Sequence, residues 1–277
     1  MKKILTIFIL LCLTPTTYSN EHNKIEVSSC NRTLTFEKVP TRAVSHDINL
    51  TEIMFALDLQ NNMAGYTGIS GWHKKTPEFL QQAQSLPQLA SRKPTVETLL
   101  AAGTDLFFAG WNYGLSIGSS LTPSSLGSFG IPVYELSESC IHIMKKQRAS
   151  FDDVFQDINN LGTIFNVQDR SNKLVNQLQT QLNEISSITD TIKHPVPVFL
   201  YDSGKDVPFT SGAYAMPNAM IEAAGGKNIM DDLNTSWTRA NWEAVVDRNP
   251  QLIIIVDYGK VTAQDKIHFL LNHPALS

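Results

Sequence analysis

Residues 150–192 read SFDDVFQDINNLGTIFNVQDRSNKLVNQLQTQLNEISSITDTI, with no proline and Gly162 as the single glycine. Val154, Ile158, Leu161 and Phe165 recur at three-to-four spacing, and so do Leu174, Leu178, Leu182 and Ile185. That period places each set on one face of a helix. The stretch predicts one long helix, or two joined near Asn166. Two ordinary helices of a single domain would show the same pattern. Its length, and its place between two α/β-patterned halves, favour a rigid connector over residues 149–192.

On the N-terminal side, strand and helix signals alternate. Ala43 to His46 predicts a short buried strand, and Asn49-Leu50-Thr51-Glu52 a capping box opening a helix that runs to Leu57. Met63 to Tyr66, Asp105 to Ala109 and Ile131 to Leu136 are further strands, and Pro94-Thr95-Val96-Glu97 opens a helix ending near Gly103. On the C-terminal side, Val196 to Tyr201 is a strand, Met216 to Ala224 a helix ended by Gly225-Gly226, and Glu243 to Val246 lies in a helix. Leu252 to Asp257 predicts a near-continuous buried strand, as parallel sheets require. Strands separated by helix-length segments argue for α/β construction with parallel sheets. The last residues, His273 to Ser277, supply no closing element, so a final strand and helix of the second half are expected to be missing.

The first residues bear on compartment. Lys2-Lys3, an apolar run from Ile4 to Leu13, Pro15, and Thr17-Tyr18-Ser19 form a signal-peptide pattern over residues 1–19. The run is far short of the ~20 residues that span a bilayer. Cys12 is a poor lipoprotein cysteine, because Leu11 stands where a small residue should precede it. Removing this leader takes two lysines and no acid, leaving a mature net charge of −6 and placing the protein in the periplasm. No basic block interrupts that acidity, which argues against nucleic acid. Cys30 and Cys140 remain as an even pair in an oxidising compartment, predicting a disulfide that contributes roughly 4 kcal/mol by loop entropy. Two free thiols are the alternative.

In parallel α/β sheets, ligands gather beyond the strand ends. Those loops here are rich in aromatics and cations. The first holds Tyr66, Trp72 and His73, the second Trp111 and Tyr113, and the third Lys205 and Tyr214; Trp237 and Arg239 lie near the last strand. Arg92 lies between the first and second of these loops. These ten are the candidate binding residues, with Lys74 and Lys93 as further cations. Each lysine has a solvated-surface alternative. Each tryptophan has a core-packing one; Trp242, flanked by a helix, is the core candidate, whereas Trp72 and Trp111 beside glycines predict an exposed aromatic surface. Aromatic faces with a few cations suit a broad, partly apolar, anionic ligand.

The ordered set Arg42-Ala43-Val44-Ser45-His46 with Asn49-Leu50-Thr51-Glu52, Leu99 to Phe108, Pro208 to Gly212, Glu222 to Ile229 and Asn249-Pro250-Gln251-Leu252-Ile253 resembles the periplasmic binding proteins with a single long interdomain helix, which serve ferric siderophores, haem and cobalamin. Thr104 replaces the proline usual in the second of these segments. The resemblance covers the mature chain. It implies two Rossmann-like lobes, residues 20–148 and 193–277, joined by the helical connector, with a ligand in the cleft. It also implies delivery to an ABC transporter permease, with Glu52 and Glu222 pairing with permease arginines. Glu52 has the capping-box carboxylate as its alternative role. A rigid connector predicts small lobe movements and a preformed cleft. A monomer without a cofactor is expected.

The chelate expected first is a ferric siderophore, then cobalamin, then haem, for which Tyr66, Tyr113, Tyr201 or Tyr214 would face the iron. A bare metal is not expected, because His46, His73, His142 and His194 are dispersed along the chain. Catalysis is not expected either. Ser45-His46-Asp47 is a triad only in text, since neighbouring strand residues point to opposite faces. Gly68-Ile69-Ser70-Gly71 is one residue short of a nucleophile elbow, and neither a Walker motif nor GxGxxG is present. A ligand-sensing subunit of a membrane receptor would use the same cleft.

Overall fold

A computed structural model describes residues 24–71, 73–146, 148–274 and 276. The leader pattern, Cys12 and Trp72 lie outside them. Among the described residues, no helix is long and apolar enough to cross a membrane.

The chain forms two α/β lobes. It begins with an antiparallel hairpin, β1 (Ile25–Ser29) and β2 (Arg32–Phe36), which the sequence did not announce. The first lobe is a parallel sheet built on β3 (Ala43–His46). One edge of β3 pairs with β4 (Met63–Thr67), which pairs with β5 (Gln88–Ala90). Its other edge pairs with β6 (Leu106–Trp111), which takes β7 (Gly114–Leu115) and β8 (Val133–Glu135). All of β3 and β6 is buried. Packing on both faces explains the unbroken apolar run of β6 from Leu106 to Ala109.

Four helices flank this sheet: α1 (Ile48–Ala56), α2 (Pro77–Ala83), α3 (Val96–Ala101) and α4 (Pro123–Gly127). The cap of α1 corrects the expectation at Asn49. The helix starts earlier, with the Asp47 carboxylate accepting from Ile48 N at 2.6 Å. Thr51 Oγ1 donates back to Asp47 O at 2.7 Å, which tightens the turn there and draws Asn49 into the helix. Glu52 is therefore not a capping carboxylate; it is exposed on α1.

The proline-free stretch is two helices, α5 (Phe151–Ile164) and α6 (Gln168–Thr189), broken where Asn166 takes φ +55°. Asparagine tolerates that left-handed conformation better than most residues. α6 carries the connection. Near its start, Arg170 Nη1 donates to Leu57 O of the first lobe at 2.6 Å; at its end, Thr189 Oγ1 donates to Ala223 O of the second at 3.2 Å. Leu174, Leu178 and Leu182 pack against the first-lobe core.

The second lobe has a three-stranded parallel sheet with β9 (Val196–Tyr201) between β11 (Gly226–Asn228) and β13 (Leu252–Ile255), and a short antiparallel pair, β10 (Phe209–Ser211) and β12 (Trp237–Arg239). α7 (Met216–Ala223), α8 (Trp242–Asp247) and α9 (Ala263–Leu271) complete it. β13 departs from its expected full burial: Leu252 is 50% exposed and Ile254 39%. It pairs only with β9, and among the described residues nothing pairs with its outer edge.

Two devices tie the hairpin to the first lobe. Cys30 is bonded to Cys140, with Cα atoms 5.3 Å apart. Glu135, whose side chain is fully buried, accepts from Arg32 at 2.6 Å, Ser29 Oγ at 2.9 Å and Trp111 Nε1 at 2.8 Å. A buried carboxylate persists where its oxygens are satisfied by charge and hydrogen bonds.

Candidate functional site between the lobes

The C-terminal ends of β3, β4 and β6 and those of β9 and β13 carry the loops that meet between the lobes. At the end of β3, His46 is 5% exposed. Its Nδ1 lies 2.9 Å from Thr67 Oγ1, which itself donates to Ser45 O at 3.2 Å. The ring is walled by Gly68 and Gly114. A Cβ on Gly68 would come within 2.5 Å of His46 Cε1, and one on Gly114 within 2.8 Å of Cγ; both glycines have positive φ. The absence of side chains there is thus a packing requirement. Burial lowers the pKa of His46 to about 4, so the imidazole is neutral.

Asp47 takes φ 76° and ψ 158°, a combination costly for any residue but glycine. Its carboxylate faces His73 Nε2 at 3.6 Å. Burial acts to raise its pKa, but the His73 contact and the Ile48 N–H outweigh it and hold the group below the usual carboxylate range. The text triad has no relay geometry: Ser45 Oγ pairs with Thr51 Oγ1 at 2.8 Å, while His46 turns to Thr67.

Tyr113, on the turn after β6, is where the lobes meet. The indole of Trp237 on β12 lies against its hydroxyl, and Glu138 and Asp47 lie near enough to act on its charge. Burial first, then those carboxylates, push its pKa well up. Further bonds cross between the lobes. Glu138 Oε1 accepts from Met216 N at 3.0 Å. Lys74 pairs with Asp257. Arg148 Nη1 donates to Glu222 Oε1 at 2.5 Å and its Nη2 to Asp231 O at 3.0 Å. Burial raises the pKa of Glu138 to about 7.

Behind the second-lobe rim, Asp202 accepts from Tyr258 OH at 2.5 Å and Ser203 Oγ at 2.6 Å. The buried Lys266 donates to Asp202 O at 2.5 Å and Val256 O at 2.6 Å beneath the Tyr258 ring. Its charge is met by two strand-end carbonyls and an aromatic face, which offsets the cost of burying it.

The candidate residues divide. Tyr113 meets Trp237, and His73 lies at Asp47, whose charge acts on Tyr113. Tyr66 does not: its ring lies edge-on to Phe79 in the first-lobe core. Trp111 corrects the expectation of an exposed aromatic surface; it is 7% exposed, with its indole held by Glu135. β6 continues through Trp111, so the flanking glycine does not mark a loop. Tyr201 stacks on Phe199 and Phe269 in the second-lobe core, and Trp242 packs there as expected, donating to Lys205 O at 2.7 Å. The Lys205 ammonium lies over Phe269. Arg92 and Arg239 are exposed, and Lys93 donates to Ser116 Oγ. Tyr214 is half-buried at a separate depression of about 640 Å³ beside Ile141 and Met144. Among the described residues, no group of three or more metal-ligating side chains converges on one point.

Sequence reasoning passed over His46, Asp47, Glu138 and Asp257. The first two were legible in principle, because a histidine–aspartate pair ends the first strand, where ligands gather. Glu138 and Asp257 carry no local signal.

Residues 44–277 match the family model described as periplasmic binding protein. Among sequence relatives, the ABC transporter substrate-binding lipoprotein YvrC of Bacillus subtilis is 24% identical over 85% of this chain and 70% of its own length. The vitamin B12-binding protein of Pectobacterium atrosepticum is 25% identical over 78% and 72%. Among solved structures, a periplasmic binding protein from Veillonella parvula superposes with TM-score 0.77 at 24% identity, covering 91% of this chain and 86% of that one. A protein of an Fe3+-hydroxamate transport system from Saccharomonospora viridis gives 0.76 at 21%, covering 92% and 88%. The two-lobed α/β fold with its helical connector, matched along nearly the whole described chain, makes this protein a member of the periplasmic binding protein family.

Proposed function

We propose that this protein captures a metal chelate between its lobes in the periplasm and hands it to a permease, with Glu52 and Glu222 as docking carboxylates. The observation carrying this reading is the meeting of Tyr113 and Trp237, one from each lobe, beside a floor of buried polar groups at the strand ends. Aromatic faces give contact area at low entropy cost, and the polar floor orients what they hold. A flat metal macrocycle of the cobalamin or haem kind fits better than the ferric siderophore expected from the loops. The cations that argued for an anionic siderophore are engaged or exposed: Lys74 with Asp257, Lys93 with Ser116, and Lys205 over Phe269. The vitamin B12-binding relative points the same way.

The test is a tryptophan fluorescence titration with cobalamin, haemin and ferric siderophores. Saturable quenching by a macrocycle at micromolar or tighter affinity, weakened by Trp237→Ala, is expected. Quenching by siderophores alone would reverse the choice of chelate, and no response to any of the three would refute the chelate reading.

A further inference from the structure

We propose that the ion pair of Lys74 and Asp257 is a strap across the entrance of the cleft, and that the lobes part on this flank while the opposite flank stays joined. The inference goes beyond the chelate reading and holds whatever the ligand is.

The order of the strands fixes the two flanks. In the first lobe β4 and β8 lie on either side of the central pair β3 and β6, and in the second β13 and β11 lie on either side of β9. Asp47 follows β3 and Tyr113 follows β6, so the site described above lies in the middle. Lys74 stands in the connection after β4 and Asp257 in the one after β13, and they join one flank. Glu138 and Arg148 stand between β8 and α5, and both reach α7, which leads into β11; they join the other.

The two flanks are held unequally. On the second, the backbone itself crosses through α5 and α6, and Thr189 at the end of α6 donates to Ala223 O at the end of α7. Ala215 gives α7 no side-chain cap, and Glu138 of the first lobe supplies one by accepting from Met216 N. Arg148 clasps both Glu222 and Asp231. On the first flank stand two side chains that are 53% and 43% exposed.

A pair so exposed contributes little to stability, which suits a bond that must break each time the cleft admits a ligand. Each partner also tolerates its loss. Lys74 returns to water on a flexible, strongly hydrated stem. Asp257 keeps the N–H of Ala263 at the start of α9, at 3.1 Å. Rotation about the second flank therefore separates the exposed pair and leaves the bonds to α7 and α9 in place.

The test needs no ligand, so it stands or fails apart from the choice of chelate. Spin labels on cysteines in place of Glu78 and Gln264, exposed on α2 and α9 beside the strap, report the first flank; labels in place of Lys145 and Lys227 report the second. In Lys74→Gln, electron–electron distance measurements should show the share of longer Glu78–Gln264 distances rising roughly 1.4- to 5-fold relative to the closed one. Lys74→Glu, which sets like charges opposite each other, should shift it further. Raising NaCl from about 0.05 to about 1 M, which screens exposed charges, should move the labelled parent in the same direction and Lys74→Gln little. The Lys145–Lys227 distance should hold throughout. An unchanged Glu78–Gln264 distribution in Lys74→Gln would refute the strap. Lengthening at Lys145–Lys227 as large as that at Glu78–Gln264, or larger, would refute opening about one flank and overturn the proposal.

Discussion

Gly68→Ala tests how tightly the floor of the cleft is built. The new Cβ would meet the His46 ring 2.5 Å from Cε1 and 2.7 Å from Nε2, and the residue has φ +81°. A side chain in the left-handed region costs about 1–2 kcal/mol. His46 is only 5% exposed, so a displaced ring loses its bond to Thr67 without gaining water. Leaving such a group unsatisfied costs about 1–3 kcal/mol. The variant should therefore lose roughly 2–5 kcal/mol, given partial relaxation. Gly71→Ala, in the same loop but with nothing within 4 Å of its Cβ, is the internal control and should change stability by less than about 0.5 kcal/mol. Urea unfolding with the disulfide intact reads both, as a midpoint shift at unchanged slope. Equal stabilities for the two variants would refute the packing of His46 between glycines.

Alkylation without reductant should find neither Cys30 nor Cys140 reactive, and replacing both with alanine should cost about 2–5 kcal/mol; two alkylatable thiols in untreated protein would contradict the bond. Burial raises the pKa of Asp157 from 3.8 to about 7 against donors from Ser137 and Tyr134. Its contribution is full below pH 4, where both states are protonated, and falls as pH rises to 7 while only the unfolded chain ionises. The loss is on the order of 4 kcal/mol. Melts of wild type and Asp157→Asn across that window should converge with rising pH; parallel curves would show that the carboxyl is ionised in the fold. Glu52→Ala with Glu222→Ala should cut uptake while ligand affinity holds, and Arg148→Gln, which removes the internal partner of Glu222, separates docking from lobe contact. A large affinity loss in the double variant would place these carboxylates in the cleft instead.

Periodicity was enough to find β3, β6, β9 and the helical stretch, because buried parallel strands and amphipathic helices write their burial into consecutive residues. The break at Asn166 was legible as one of two possibilities. The hairpin β1–β2 was missed, since its order comes from Glu135 and Cys140, more than 100 residues away. The cap of α1 was misplaced because Thr51, held by Ser45, bonds the Asp47 carbonyl, a preference of this turn rather than of the pattern S/T-x-x-E.

The candidate site divides along the same line. Sequence alone determined the α/β pattern of the two halves, the helical stretch between them, the cysteine pair and the rule that ligands gather at strand ends, all of which depend on local pattern or on counting. Only the tertiary structure decided that Trp111 and Tyr66 belong to the core, that Tyr113 meets Trp237, and that His46 stands between two glycines with its ring nitrogen against Thr67. Whether an aromatic or a histidine packs or binds depends on neighbours brought together across many tens of residues. A single stretch of sequence does not contain them.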